Sequence, residues 1–256
     1  MGRLKSIKKN SSRKNITRKT KTKTKTKTKT IIKAKIEKYK EDAKNGDARA
    51  QNKLGTLLMN GEGVKRNYKE AVRLYRLSAK QGNVTAKYNL GVMLMNGEGV
   101  KRNYKEAVKL YREPAKEGDT DAQINLGVMF NLGNGVKQNY KEAARLYRIA
   151  SKKGDPIAQY NLGLLFEYGN GFKRNYKEAA RLYRLSAKKN YLRAQHRLSI
   201  MYNNNKTKNK TKNKTTRKLS SHYYLRDDKY NISKIKSGGG GIGGGGFSIP
   251  ATAEER

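Results

Sequence analysis

The chain has 256 residues, and its 60 Lys and Arg residues outnumber its 20 Asp and Glu residues, giving a formal net charge of +40. A charge this large points to an anionic partner or to basic tails. The sequence contains no Cys and two His residues, His196 and His222. These counts exclude disulfides, thiolate metal sites and a cysteine nucleophile. Neither histidine has a catalytic or metal-binding arrangement around it, so we predict no enzyme, no metal site and no cofactor.

No apolar run approaches the roughly 18 residues that a membrane-spanning helix needs. The first ten residues, MGRLKSIKKN, lack the apolar stretch of a signal peptide. We therefore expect an intracellular, soluble protein of the cytoplasm or nucleus that is not secreted and has no transmembrane segment.

The chain begins with a Lys/Thr-rich segment, residues 1–30, that ends in KTKTKTKTKT. Its period-2 alternation offers no apolar face, and its lysines repel one another, so we expect a disordered tail. Residues 205–256 combine similar basic, low-complexity sequence with a Gly-rich stretch, and we expect a second disordered tail there. Two interpretations of the tails remain open. The tails are arms that contact nucleic acid or a membrane surface, or they arose by simple-repeat expansion and have no selected role.

Between the tails a unit of 36 residues recurs without insertion or deletion, as the spacing of Ala50, Ala86, Ala122, Ala158 and Ala194 shows. The sequence predicts half-repeats at both ends and four full repeats between them. These six segments are residues 31–49, 50–85, 86–121, 122–157, 158–193 and 194–204. A single repeat cannot bury its apolar stripe alone, so neighbouring repeats are expected to stack into a solenoid.

Each repeat is predicted to form two helices, helix A and helix B. In the first repeat, Ala50, Leu54 and Leu58 mark one face of helix A at i, i+4 and i+8, and a two-glycine turn ends it. Helix B begins at Asn67, and Glu70 three residues later completes the pattern of a capping box.

The ends and buried face of helix B recur in every repeat. In the first repeat the predicted buried face consists of Ala71, Leu74, Tyr75 and Ser78. Residue types that tolerate a left-handed backbone close the helix in each repeat, at Gly82, Gly118, Gly154 and Asn190. The next helix A is then expected to start at Asn83, Asp119 or Asp155, the last followed by a proline at the first helical position.

This pattern resembles the Sel-one-like repeats, a subclass of the tetratricopeptide superfamily. The resemblance covers residues 31–204. Leu74, Leu110, Leu146 and Leu182 stand where family members often carry Trp, which is a change in packing. In the third repeat the family pattern reads Ala122, Leu126-Gly127, Phe130, Gly133-Asn134-Gly135-Val136, Asn139, Tyr140, Ala143, Tyr147 and Gly154. The resemblance implies an all-α fold, namely a right-handed α-solenoid of antiparallel helix pairs, here with disordered basic tails. It also implies that the solenoid serves as a non-catalytic protein-binding scaffold.

The turn in MNGEGVKRNYKEAV, which occurs at residues 59–72 and again at 95–108, invites two interpretations. Its Gly-x-Gly segment resembles an anion-binding nest. A phosphate-binding P-loop, however, follows a strand and carries a different spacing, whereas here a helix precedes the turn. We predict a joint between helices A and B.

The inner face of helix A is the usual peptide groove of the superfamily. Residues that project opposite the Leu54 row differ in chemistry between repeats, and we predict that they bind a partner. The alternative is that the apolar members pack between repeats. The predicted groove residues are Asn52, Met59, Tyr88, Met95, Ile124, Asn131, Tyr160, Glu167 and His196.

Helix B carries a basic stripe opposite its buried face, at positions i, i+4, i+7 and i+11. Like charges four residues apart destabilise a helix by about 0.2–0.5 kcal/mol per pair, so helix stability does not explain the stripe. Two interpretations remain open: a convex anion-binding surface, or a solvated face inherited by copying one ancestral repeat. The stripe comprises Lys69, Arg73, Arg76, Lys80, Lys105, Lys109, Arg112, Lys116, Lys141, Arg145, Arg148, Lys152, Lys177, Arg181, Arg184 and Lys188.

These features lead to one predicted function and one alternative. The predicted function is a non-catalytic protein–protein interaction scaffold that binds an acidic protein or peptide in the helix A groove. The alternative is a basic, nucleic-acid-associated protein that uses its tails and the convex stripe for non-specific binding.

Overall fold

The computed structural model describes residues 30–210, so the predictions made for residues 1–29 and 211–256 lie outside the described residues. The described part contains ten helices and no strand. The helices are α1 at residues 30–44, α2 at Ala48–Asn60, α3 at Tyr68–Lys80, α4 at Val84–Asn96, α5 at Tyr104–Lys116, α6 at Thr120–Leu132, α7 at Tyr140–Lys152, α8 at Pro156–Tyr168, α9 at Tyr176–Lys188 and α10 at Leu192–Lys210.

The helices alternate between the two predicted types. Helices α2, α4, α6 and α8 are the A helices of the four full repeats, and α3, α5, α7 and α9 are their B helices. Each helix from α2 onward packs mainly against the helices before and after it in the chain. This arrangement confirms the all-α solenoid of stacked helix pairs. The last helix, α10, continues to Lys210, beyond the predicted end of the solenoid at residue 204.

Polar caps fix where the helices begin. At the start of α2 the backbone N–H of Ala50 donates to the Asp47 side chain at 2.6 Å. At the start of α3 the N–H of Glu70 donates to the Asn67 side chain at 3.1 Å. The same bond recurs at the equivalent Asn or Asp before each helix from α4 to α9. These caps satisfy N–H groups that lack a partner within the helix.

The second half of the predicted capping box does not form. The backbone N–H of Asn67 donates to the Leu58 carbonyl at 2.9 Å, and Asn103, Asn139 and Asn175 make the equivalent bond in the other repeats. Because this N–H is already used to tie helix B to helix A, the Glu70 carboxylate is free to bind another group. It pairs with Arg73 instead.

Left-handed residues end the helices where the sequence predicts them. Gly61 closes α2 with a φ of 74°. At the end of α9, Asn190 takes a φ of 61° and is the one described non-glycine residue with positive φ. Asparagine tolerates this conformation better than most residues, so it replaces the glycine of the other repeats.

A glycine in the middle of each A helix makes room for a buried tyrosine of the same repeat. A Cβ on Gly127 would lie 2.6 Å from the Cε1 atom of Tyr147, which is closer than atoms can approach. Tyr147 is 1% exposed. The same pairing joins Gly55 to Tyr75, Gly91 to Tyr111 and Gly163 to Tyr183. This contact holds helix A against helix B in every repeat.

The core is a continuous layer between the helices, with separate clusters at its two ends. The main cluster extends from α3 to α9. A small cluster around Ala43 and Leu54 covers the α1 end, and another around Tyr160 and Tyr183 covers the α10 end. The half-repeats at both ends therefore shield the apolar faces of the first and fourth full repeats, as capping units of a solenoid do.

Candidate interaction surfaces

The two-glycine turn is a helix joint. The N–H groups of Gly61 and Glu62 both donate to the carbonyl oxygen of Leu57, at 2.8 and 3.0 Å. An anion-binding nest would need such N–H groups to point at its ligand. Here they close the end of α2, which supports the interpretation of the turn as a joint.

The second glycine of the turn brings neighbouring repeats into direct contact. A Cβ on Gly99 would lie 2.4 Å from the carbonyl carbon of Tyr68, in the repeat before it. Gly135 makes the same approach to Tyr104, at 2.3 Å. Because no side chain fits at these positions, each turn rests on the backbone at the start of the preceding B helix.

The structure buries six of the nine residues predicted to line the helix A groove. Asn52 accepts a hydrogen bond from Asn89 Nδ2 at 3.0 Å, and the Tyr88 ring packs 5.7 Å from that of Tyr111. The groove prediction is corrected for these six residues, because they pack between helices and offer almost no surface to a partner. The six are Asn52, Tyr88, Met95, Ile124, Asn131 and Tyr160.

The other three predicted groove residues lie in different surroundings. Met59 is half-buried against the main core. Glu167 accepts a hydrogen bond from the Tyr183 hydroxyl at 2.6 Å and pairs with Arg197 at 3.3 Å. His196 is exposed on α10. These positions do not form one open groove.

The physical reason is that the central A helices are largely apolar and are covered on almost every side. All ten residues from Ala122 to Asn131 in α6 are buried, and α4 buries nine of its thirteen residues. A helix that is hydrophobic all round lies inside a protein. The B helices, in contrast, are strongly amphipathic, so the exposed surface of the solenoid belongs largely to them and to the loops.

All sixteen residues of the predicted basic stripe are exposed. They occupy the outer faces of α3, α5, α7 and α9, opposite buried positions such as Ala71 and Tyr75. The structure therefore places the four sets of cations on one type of helix in the same register.

A row of glutamates runs through the stripe. Glu70, Glu142 and Glu178 pair with the arginine three residues later in their own helices, at 2.6, 2.7 and 2.7 Å. Between repeats, Arg76 approaches Glu106 to 3.9 Å. The second position of the stripe is therefore neutralised in three repeats, and this was not evident from the sequence.

These ion pairs change the pKa of the three arginines and of one of the glutamates. The hydrogen bonds from Arg181 hold the pKa of the Glu178 carboxyl below its ordinary value, against a smaller opposing effect of burial, and the charge of Arg148 adds to the lowering. Hydrogen bonds to the Glu70, Glu142 and Glu178 carboxylates raise the pKa of Arg73, Arg145 and Arg181.

A second basic surface was missed by the sequence-based prediction. Helix A is joined to helix B by four loops, residues 61–67, 97–103, 133–139 and 169–175, which are called here the loop edge. The last three of these loops each contact the first residue of the B helix that follows the preceding loop. Only Glu62 and Glu98 are acidic in these loops. The exposed basic residues of the loop edge are Lys65, Arg66, Lys101, Arg102, Lys137, Lys173 and Arg174. The recurring letters VKRNYK carried the signal, but sequence alone does not show that each loop packs against the repeat before it.

Within the loop edge, arginine is held by tyrosine. The guanidinium of Arg66 donates to the Tyr68 hydroxyl at 3.3 Å and lies 5.7 Å from the centre of its ring. Arg102 with Tyr104 and Arg174 with Tyr176 repeat both contacts. In the third repeat Gln138 replaces the arginine and donates to the Asn131 carbonyl at 2.8 Å.

No helix within residues 30–210 combines the length and the apolar character needed to cross a membrane. In the same residues, no three or more His, Asp or Glu side chains come together in a group that could hold a metal ion.

Stacked helix pairs with equivalent caps, equivalent glycine–tyrosine packing and equivalent turns define an α-helical repeat solenoid. The Sel1 repeat model matches residues 48–83, 84–119, 120–155 and 156–191. The chain therefore belongs to the Sel1 repeat family, whose members are generally non-enzymatic protein-interaction scaffolds. Among curated proteins, none matches the chain.

Two solved structures are similar in both sequence and fold. One is c5321, a protective antigen present in uropathogenic Escherichia coli strains that displays an SLR fold, with 35% identity and a TM-score of 0.62 over 66% of this chain. The other is a Sel1 repeat protein from Oxalobacter formigenes, with 34% identity and a TM-score of 0.60 over 65% of this chain. The matched region spans 36% of the first protein and 66% of the second.

Proposed function

We propose that this chain is a non-catalytic scaffold that binds an acidic protein partner on its exposed basic surfaces. The family supplies the general role. The observation that carries the proposal is the exposure of all sixteen stripe cations on the outer faces of the B helices. Repulsion among these cations has no structural benefit, whereas an acidic protein surface would neutralise it.

The proposed surface differs from the helix A groove predicted from the sequence. Six of the nine groove residues are buried, and Glu167 is engaged with Arg197 and Tyr183. A partner in that groove would have to displace packed side chains. The exposed B helices and loops are accessible without any rearrangement.

The experiment is a pull-down from lysate with the full chain, with and without nuclease, followed by identification of the bound proteins. We expect bound proteins enriched in Asp and Glu, retained after nuclease treatment and released by added polyglutamate. A variant with Arg76, Arg112, Arg148 and Arg184 changed to Gln is the matched test, and we expect it to retain less of the acidic partner. Loss of all bound protein after nuclease treatment would contradict the proposal.

A second candidate function is association with nucleic acid. It is favoured by the 19 basic residues against 4 acidic residues in residues 1–50. Its test is the dependence of DNA affinity on salt, because each neutralised phosphate steepens the fall of log K with log salt concentration by about 0.7–0.9. A flat dependence would exclude this candidate, and a steep one that disappears on deletion of residues 1–29 and 211–256 would assign it to the tails.

A further inference from the structure

We propose that the acidic partner binds the loop edge as an extended segment that runs across consecutive repeats, and that the helix B stripe contributes less to its affinity than the loop edge does. This inference rests on the proposed function and assigns it a site. It depends on the contiguity of the loops, on the distribution of charge between the two ends of the helix pairs, and on what holds each arginine.

The loop edge is continuous because the second glycine of each turn contacts the repeat before it. Gly99 lies against Tyr68, Gly135 against Tyr104 and Gly171 against Tyr140. At these points a glycine of one loop lies directly against the residue that follows the preceding loop. Basic residues that are 36 positions apart in the sequence thus belong to one surface.

Charge is distributed unequally between the two ends of the helix pairs. The four loops of the loop edge contain seven basic and two acidic residues. The loops at the opposite end, residues 81–83, 117–119, 153–155 and 189–191, contain Lys153 and Lys189 against Glu117, Asp119 and Asp155. Aspartates cap the A helices at that end. Lys80, Lys116, Lys152 and Lys188 end the B helices at that side and offset its acidic residues. A polyanion is therefore attracted more strongly to the loop edge than to the opposite end.

The arginines of the loop edge and of the stripe differ in their partners. Arg73, Arg145 and Arg181 in the stripe already pair with glutamates. Arg102 and Arg174 are held by a tyrosine hydroxyl and ring, which orient the guanidinium without neutralising it. An oriented and uncompensated guanidinium binds a carboxylate with less loss of side-chain entropy than a free one.

The acidic residues of the loop edge lie at its first two loops. Glu98 is half-buried close to Arg66, where burial raises the pKa of its carboxyl and the arginine opposes that effect. The third and fourth turns carry Asn134 and Asn170 in place of the glutamate. The strongest attraction for an anion is thus in the third and fourth loops, which contain no acidic residue.

The tyrosines favour a peptide over single-stranded nucleic acid. Non-specific binding of single strands relies on bases stacking on open aromatic faces. Tyr68 and Tyr104 are half-buried against the main core, and an arginine already lies over each ring. Tyr176 is more exposed but carries Arg174 over its ring. A chain of carboxylates, in contrast, needs no open aromatic face, because it binds through the cations alone.

The geometry sets the length of the segment. Helices pack at about 8–10 Å, so four consecutive loops extend over about 30 Å. An extended peptide advances about 3.3 Å per residue, and a segment of about nine or ten residues would reach from the first loop to the fourth.

The test compares two variants of the full chain that lose the same charge. The loop-edge variant carries K101Q, R102Q, K137Q, K173Q and R174Q. Glutamine is compatible with the arginine position because Gln138 occupies it in the third repeat. The control carries K80Q, K109Q, K116Q, K152Q and K188Q, all at exposed stripe positions. Circular dichroism and thermal unfolding first establish that both variants keep the wild-type fold.

Affinity is then measured at about 0.15 M salt for fluorescent polyglutamate of five, ten and twenty residues, and for an oligothymidylate of twenty nucleotides. We expect the loop-edge variant to bind the ten-residue polyglutamate about tenfold more weakly than wild type, and the control less than about threefold more weakly. The gain in affinity from five to ten residues should disappear in the loop-edge variant alone.

Each other outcome has a defined meaning. Equal losses in the two variants, or no loss in the loop-edge variant, would overturn the assignment to the loop edge and leave the proposed function standing. A wild-type chain that binds no polyglutamate of any length would contradict the proposed function itself. Selective loss of oligothymidylate binding in the loop-edge variant would replace the peptide with nucleic acid as the ligand of this surface.

Discussion

At the scale of single residues, the helical glycines show how packing overrides helix propensity. Alanine stabilises a helix by about 1 kcal/mol relative to glycine, so Gly127→Ala would be stabilising if α6 stood alone. In the folded chain the new methyl group would lie 2.6 Å from Tyr147, whose ring is fully buried. Overpacking of this kind costs about 1–3 kcal/mol, and we expect a net destabilisation of about 1 kcal/mol.

Chemical denaturation of the Gly127→Ala chain measures this change, as a lower midpoint at constant slope. Ser199→Ala is the matched control, because Ser199 holds the equivalent position in the last half-repeat and is exposed. It should leave the midpoint unchanged or raise it slightly. A Gly127→Ala chain more stable than wild type would show that Tyr147 can move aside.

The buried phenols predict a specific response to alkaline pH. Burial raises the pKa of Tyr75, Tyr88 and Tyr111 above the ordinary value of 10.0. The folded state keeps these protons at a pH where the unfolded state releases them. Their contribution to stability is therefore complete below about pH 10 and falls above it by about 1.4 kcal/mol per pH unit for each phenol.

Tyrosinate absorbance and circular dichroism recorded in one alkaline titration test this response. The chain has 17 tyrosines. We expect the buried phenols of Tyr75, Tyr88 and Tyr111 to ionise only above pH 10, together with loss of the helical signal. A single transition of all tyrosines near pH 10 in a fully helical chain would contradict the burial described here.

At the scale of the helix, α5 contains an unfavourable residue that the other repeats avoid. Pro114 is buried inside α5, where it removes a helical hydrogen bond and crowds the preceding turn. The equivalent residues in α3 and α9 are Ser78 and Ser186, whose hydroxyls donate to the carbonyls of Ala48 and Pro156 at 2.6 Å. Pro114→Ser should restore the backbone bond and add a similar hydroxyl bond.

We expect Pro114→Ser to stabilise the protein by about 1–3 kcal/mol, less than the full cost of a central proline because α5 ends two residues later. Amide hydrogen exchange of α5 measures the local effect, which should appear as slower exchange of its last two turns. Ala150→Ser in α7 is the control, since it adds the hydroxyl without removing a proline, and its effect should be the smaller of the two. No change in α5 exchange would mean that the proline is accommodated without cost.

The helices also show which parts of the molecule the sequence determines. Helix starts, glycine ends and the buried B faces follow local rules, so the period of 36 residues and the caps were sufficient to predict them. The groove was predicted from one helix face at a time, and this fails for α6 because its other faces are covered as well. The apolar letters on all sides of α4 and α6 were a signal against an open groove. The glutamate row and the loop edge depend on contacts between repeats, which a one-dimensional pattern does not show.

At the scale of the whole molecule, stability is divided among neighbouring repeats. In a solenoid each repeat contacts only its neighbours, so the ends depend on their capping helices. Helix α10 covers the fourth repeat. Its residue Ala194 is fully buried, and its residues Leu198 and Met201 pack against the cluster around Tyr160 and Tyr183. The main cluster does not include α10.

Truncation after residue 191, where the fourth Sel1 match ends, should therefore act locally. It exposes Tyr160 and Tyr183 and removes two half-buried apolar side chains, with an expected loss of about 2–3 kcal/mol in the fourth repeat. Hydrogen exchange should show early opening of α8 and α9 with α4 to α6 still protected. Truncation after residue 210 is the matched control, because it keeps α10 and should leave every helix protected. If both truncated chains exchange alike, α10 is dispensable for the stability of the fourth repeat. If the shorter chain opens throughout, the repeats unfold as one cooperative unit, and stability is not divided among neighbours.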